Sequence, residues 1–215
     1  MKITVLSLAL LTLTGCTSGG ENLPSLTFEP QGTSLIVRGV IDRRASAALK
    51  DALAANPQTT QLVLQWVPGS ADDDANLEMS RSIRAHALAT LVPAEGVVAS
   101  GGTDMFLAGL TRELPRGACV GVHTWAGGDT LTGADLPRDD PEHVKYLEYY
   151  DAMGIDRAFY WYTLDAAGPN EAHWMSRAEM RAYGMTTGAT AAPASENATR
   201  LMKTCEARID AGFSQ

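Results

Sequence analysis

Two side chains, Ser100 and His123, have the type and setting that chemistry requires. Both belong to the stretch VVASGGTDMFLAGLTRELPRGACVGVHTW, from Val97 to Trp125. It reads as strand, tight Ser-Gly-Gly turn, helix, loop and second strand. Ser100 sits at the strand-to-helix corner and His123 ends the later strand. A serine hydroxyl is a poor nucleophile until a nearby base takes its proton. A helix N-terminus offers free N–H groups where a tetrahedral oxyanion would form. A hydroxyl and an imidazole brought together there would carry out serine-type acyl transfer. Each residue also has a plainer reading: Ser100 suits a helix N-cap, and His123 suits a hydrogen-bonded histidine at a strand end.

The elements that must position this pair follow from patterning. Leu26 to Glu29 and Ser34 to Ile41 read as strands around a Gln31-Gly32 turn. Ala45 to Ala55 has helical spacing and is closed by Asn56-Pro57. Gln61 to Trp66 is a short apolar run suited to a buried parallel strand. Asp72, Asp73 and Asp74 open a helix that runs to about Ala87, where their charge complements the helix dipole. Thr90 to Ala99 is expected as one strand. The order β-α-β-α-β-turn-α-β argues for a parallel sheet with right-handed crossovers in a single α/β domain. After His123, Ala126 to Pro141 reads as an exposed loop. Glu142 to Met153 and Arg157 to Leu164 form a helical hairpin rich in aromatics, most of them expected in the core. Ser176 to Glu179 is a capping box opening a short helix. Ala189 to Ser195 is a small-residue loop, and Glu196 to Ala211 is a last helix.

The order P-G … A-S-G-G-x-x-x-F-L-A-G … G-V-H, from Pro68-Gly69 to His123, resembles the Clp protease proteolytic subunit and its crotonase-like relatives. It resembles most the periplasmic Clp-like proteins of bacteria. The resemblance spans roughly Leu35 to Met185. It implies a spiral of β-β-α units with a parallel sheet and a C-terminal helical-hairpin excursion. It implies Ser100 as nucleophile, His123 as general base, and the backbone N–H groups of Gly69 and Gly101 as oxyanion donors. Two positions depart from the family. Ser70 stands where a second glycine is usual, and Ala172 matches the position of the triad aspartate. Glu171, with Asn170 as the alternative, is the nearest candidate to orient His123. The implied substrate is a peptide or protein in extended form. An esterase or thioesterase, or a non-catalytic peptide- or partner-binding protein on the same fold, are the other readings. Relatives form rings or trimers, so homo-oligomerisation is an expectation.

Residues 1–15 read as a signal peptide: Lys2 precedes an apolar stretch too short to span a membrane. Leu13-Thr14-Gly15-Cys16 resembles a bacterial lipobox, which implies lipidation of Cys16. Residues 16–25 then form a tether and 26–215 the domain. With Thr17 following Cys16, the resemblance implies the outer membrane, facing the periplasm, with membrane contact through the lipid alone. Without Lys2, 16 of the 17 Lys+Arg face 25 Asp+Glu. That acidic balance disfavours nucleic acid as a partner. No histidine or cysteine spacing suggests a metal, no G-x-x-x-x-G-K-[ST] pattern suggests a nucleotide, and no cofactor is expected. Cys119 and Cys205 remain after processing, and sequence leaves open whether they pair.

Overall fold

A computed structural model describes residues 23–127, 131–188 and 197–214. The signal segment, Cys16, most of the tether, the 189–195 loop and Glu196 lie outside the described residues.

Strands β1 (Thr27–Gln31) and β2 (Ser34–Arg38) form an antiparallel hairpin. Helix α1 (Ala45–Ala55) crosses to β3 (Gln61–Val67), which runs parallel to β2. Helix α2 (Asp73–Ala85) starts at Asp72, whose carboxylate accepts from the Ala75 N–H at 3.0 Å, with Asp73 and Asp74 in its first turn.

The single strand expected over Thr90 to Ala99 is two strands, β4 (Ala89–Leu91) and β5 (Val97–Ala99). Pro93 supplies no ladder donor, and its carbonyl accepts from the Gly96 N–H at 2.8 Å, turning the chain between them. The break lets β4 pair with the start of β3 and β5 with its end. Helix α3 (Gly101–Leu107) follows β5 directly. Strand β6 (Arg112–Glu113) pairs with β4, and β7 (Cys119–Val122) pairs in parallel with β5.

Beyond His123 the expected open loop contains a short antiparallel pair, β8 (Ala126–Gly127) and β9 (Leu131–Thr132). The aromatic hairpin is α4 (Val144–Met153) and α5 (Arg157–Ala166). Strand β10 (His173–Trp174) then pairs antiparallel with β7, His173 opposite Val122. Helix α6 (Arg177–Ala182) opens with the capping box of Ser176 and Glu179. The last helix is α7 (Ala198–Phe213). Among the described residues the main sheet runs β1-β2-β3-β5-β7-β10, with β4 and β6 as a branch. No described helix is long and apolar enough to cross a membrane.

The sheet has two buried faces, as strand alternation requires. Val98, Val120 and Val122 join the main core with Leu62, Leu64, Phe106 and the rings of the α4–α5 hairpin. Val97, Ala99 and Cys119 face the other way, packing with Trp66, Trp174 and Cys205 beneath α7. One register shift serves this second face. Val37 pairs with Leu64 but Arg38 with Trp66, so Gln65 is an extra residue on β3. The bulge turns Trp66 away from the side of Leu62 and Leu64. There its indole N–H donates to the Ile209 carbonyl at 3.1 Å and its ring meets Phe213 edge-on at 4.9 Å. Cys119 and Cys205 are joined in a disulfide, with Cα atoms 5.6 Å apart. Of the two alternatives the sequence left open, the structure has the bridged one.

Candidate active site

Ser100 is held at φ 53°, ψ −129°, a conformation that non-glycine residues avoid. Its N–H donates to the Gly121 carbonyl at 3.1 Å, which also accepts from the Thr103 hydroxyl at 2.8 Å. The strand-to-helix elbow is thus tied to β7, the strand that delivers His123. The capping alternative is not what the structure has: Ser100 occupies the N-cap position but its hydroxyl makes no cap hydrogen bond. Backbone strain of this kind clusters at active sites, ligand clamps and switch regions.

His123 and Ser100 line the same small cavity. The half-buried imidazole has its Nδ1 2.7 Å from the Thr124 carbonyl oxygen. A carbonyl can only accept, so Nδ1 carries a proton, and in the neutral imidazole the lone pair lies on Nε2. Thr124 is itself fixed, its N–H donating to the Ala167 carbonyl at 3.0 Å and its hydroxyl accepting from the Ala134 N–H at 3.0 Å. A backbone carbonyl therefore sets the tautomer, a task a triad carboxylate performs elsewhere.

Gly101 lines the cavity and Gly69 lies against Ser100. A Cβ at Gly69 would lie 3.3 Å from the Ser100 Cβ. A Cβ at Gly101 would meet the Ser70 Cβ at 2.7 Å and the Asn76 amide at 2.9 Å. Asn76, fully buried, holds the Gly101 carbonyl at 3.1 Å. Among the described residues neither the Gly69 nor the Gly101 N–H donates a hydrogen bond within the chain. The hydroxyl of Ser70, which stands where the family usually has a second glycine, donates to Asp73.

Sequence reasoning missed the acidic and aromatic side of the cavity. Asp73, Asp104, Trp125, Tyr146, Tyr150 and Tyr160 line it beside Ser100. Tyr146 donates to Asp73 at 2.7 Å and Tyr150 to Asp104 at 2.5 Å. Asp104 as a residue keeps partial exposure through the cavity, but its carboxyl is buried. Desolvation, opposed by the Tyr150 hydrogen bond and aided by the charge of Asp73, pushes that carboxyl up to about 7. Desolvation also pushes the Tyr160 phenol up to about 12, and those of Tyr146 and Tyr150 higher. A signal for Asp104 was present, since a residue four after Ser100 lies on the same helix face. Tyr146, Tyr150 and Tyr160 could not be separated by pattern from the core rings around them.

Glu171 and Asn170 are not brought to His123. Both are exposed in the loop before β10, and neither hydrogen-bonds to His123. Ala172, at the position of the family aspartate, packs against the cluster under α7. The reason is local: the Glu171 N–H is used in a turn to the Gly168 carbonyl at 3.2 Å, ahead of the short strand. The lone Glu in this region with an imidazole partner is Glu179, 3.0 Å from His173 Nε2. Among the described residues no cluster of His, Cys, Asp and Glu is arranged to hold a metal.

No family model matches the chain, and no curated protein matches it in sequence. Among solved structures it is similar to an enoyl-CoA hydratase from Polaromonas sp. JS666, at 16% identity and a TM-score of 0.50, covering 87% of this chain and 77% of that one. Looser matches are to two mutants of the 1510-N membrane-bound stomatin-specific protease. The first is 12% identical, TM-score 0.45, covering 69% of this chain and 75% of that one. The second, in complex with a substrate peptide, is 13% identical, TM-score 0.45, covering 69% and 71%. The fold is crotonase/Clp-like, with its mainly parallel sheet and helical excursion. At such identities the likeness bears on fold and not on the reaction.

Proposed function

We propose that this protein is a serine hydrolase acting on peptide bonds in extended segments, through a Ser100–His123 dyad. The observation that carries the reading is the strained Ser100 with its uncommitted hydroxyl, in one cavity with an imidazole whose Nε2 is free to accept a proton. Ser100 Oγ attacks the acyl carbon while His123 Nε2 takes its proton. The N–H groups of Gly69 and Gly101 hold the oxyanion. His123 then protonates the leaving amine, and water, deprotonated by the same Nε2, hydrolyses the acyl-enzyme. In this reading Nδ1–H stays on the Thr124 carbonyl throughout, and the imidazolium has no carboxylate to stabilise it. Turnover should therefore be slower than with a full triad.

The same reading holds the chain at a membrane by a lipid on Cys16, at the outer membrane facing the periplasm. Cys16→Ser should move the protein from the membrane to the soluble fraction.

The test is hydrolysis of unfolded casein and of p-nitrophenyl acetate by the mature soluble chain. Ser100→Ala and His123→Ala should each lower kcat by about a thousandfold or more, and the double variant little further. Ester cleavage without casein cleavage would mark an esterase. The lack of a carboxylate on His123 favours one competitor, a non-catalytic peptide binder. Binding of casein without cleavage, unchanged in Ser100→Ala, would establish it.

A further inference from the structure

We propose that the cavity beside Ser100 is a subsite for a primary ammonium, so that the preferred substrate carries a lysine-like aminoalkyl side chain at the scissile carbonyl. This rests on the hydrolase reading above and adds the substrate class. Asp73 and Asp104 both line the cavity, and among the described residues neither forms an ion pair with a lysine or arginine. Lys145, at the rim, bonds to Asp74 at 2.8 Å and lies 5.2 Å from the centre of the Tyr146 ring, but does not line the cavity. The same cavity is lined by the rings of Trp125, Tyr146 and Tyr160, stacked in series at 5.7 Å and 5.4 Å, with Tyr150 beside Tyr160. Carboxylates and aromatic rings in one desolvated pocket are what an alkylammonium satisfies, by ion pairing and by cation–π attraction.

Size and depth narrow the choice. The cavity holds ≈ 40 Å³, room for roughly three non-hydrogen atoms. That suits the end of an aminoalkyl chain and is small for a planar guanidinium or a ring. Asp104 lies four residues along α3 from Ser100, a rise of about 6 Å, which an extended lysine side chain spans. The Asp104 carboxyl is held out of water, with the charge of Asp73 acting on it. The raised Asp104 carboxyl is the expected consequence.

The test compares labelling of Ser100 by peptidyl diphenyl phosphonates that differ only in lysine or norleucine at the phosphonate position. Lysine should react at least about tenfold faster. Asp73→Asn and Asp104→Asn, each checked for folding by circular dichroism, should shrink that ratio severalfold. Equal or faster labelling by norleucine would overturn the ammonium subsite and leave the hydrolase reading standing. Labelling by neither would overturn the hydrolase reading. Binding of n-butylammonium against n-butanol to Ser100→Ala protein, followed by NMR shifts of the Tyr146 and Tyr160 rings, then decides the pocket alone. Ammonium-selective shifts would support it, and their absence would overturn it.

Discussion

Holding a serine at φ 53° costs roughly 1–3 kcal/mol, and no hydrogen bond from its side chain offsets that cost. Glycine at the same position would relieve the strain at some entropic loss. Ser100→Gly should therefore raise stability by about 1 kcal/mol, read as a Tm gain of roughly 2–4 °C. Ser100→Ala, equally strained, should leave Tm nearly unchanged. Were Ser100 a structural cap, Ser100→Ala would instead cost about 1 kcal/mol. Asp104 gives a pH signature of definite sign. Its carboxyl titrates at about 7 in the folded chain against 3.8 for the free group. Between those values the unfolded chain has released a proton that the folded chain retains. The contribution of Asp104 to stability is thus full below about pH 4, is lost as pH rises toward 7, and is flat above, with a slope of at most about 1.4 kcal/mol per pH unit. Asp104→Asn should remove that slope and stabilise the protein at pH 8, as urea melts across the range would read. A third expectation concerns the loop before β10: Glu171→Gln and Asn170→Ala should leave kcat within about twofold, since neither touches His123, whereas a triad member lost would cost far more. Ser100 and His123 were legible because a strand–Ser-Gly-Gly–helix pattern and a strand-end histidine are local features. The Thr124 carbonyl was not, because every residue has a carbonyl and only tertiary structure decides which one an imidazole meets.

Elements carry the site through the sheet. β5 and β7 lie side by side, so the elbow after one and the histidine after the other meet at the same end. Helix α7 braces these strands from behind. Arg208 of α7 donates to the Gly117 carbonyl at 2.7 Å and the Ala94 carbonyl at 3.1 Å, at the starts of both strands. The Cys119–Cys205 bridge closes a loop with a sequence separation of 86. Replacing both cysteines by serine should cost about 2–4 kcal/mol in a chemical melt. The loss should come without loss of the main core, because α7 packs on the separate cluster of Trp66, Trp174 and Ala99. Helix α1 and the capping box at Ser176 were readable to the residue, since helical spacing and caps are local. The β4–β5 break, β6 and β10 were not. Strands of two or three residues carry too few side chains to show alternation, and they exist only through their sheet neighbours. The bulge at Gln65 was equally hidden, because register is a property of two strands together.

At the scale of the whole molecule, a main core and a smaller cluster under α7 enclose the sheet, and the Ser100 elbow sits where α3 meets it. The α/β order, the parallel sheet and the aromatic hairpin could be read from hydrophobic periodicity, and the crotonase/Clp-like architecture from the motif order around Ser100. The hairpin's second task was beyond pattern: Tyr146, Tyr150 and Tyr160 are buried like their neighbours yet also wall the cavity. Burial pattern reports which rings leave water, not which ones border a void. The central claim is that Ser100 is a nucleophile activated by His123. Its most direct measurement is fluorophosphonate labelling of the mature soluble chain, read by intact mass and peptide mapping. One adduct on Ser100, lost in His123→Ala protein that remains folded, is the expected result. No adduct in folded protein, or an adduct indifferent to His123→Ala, would contradict it.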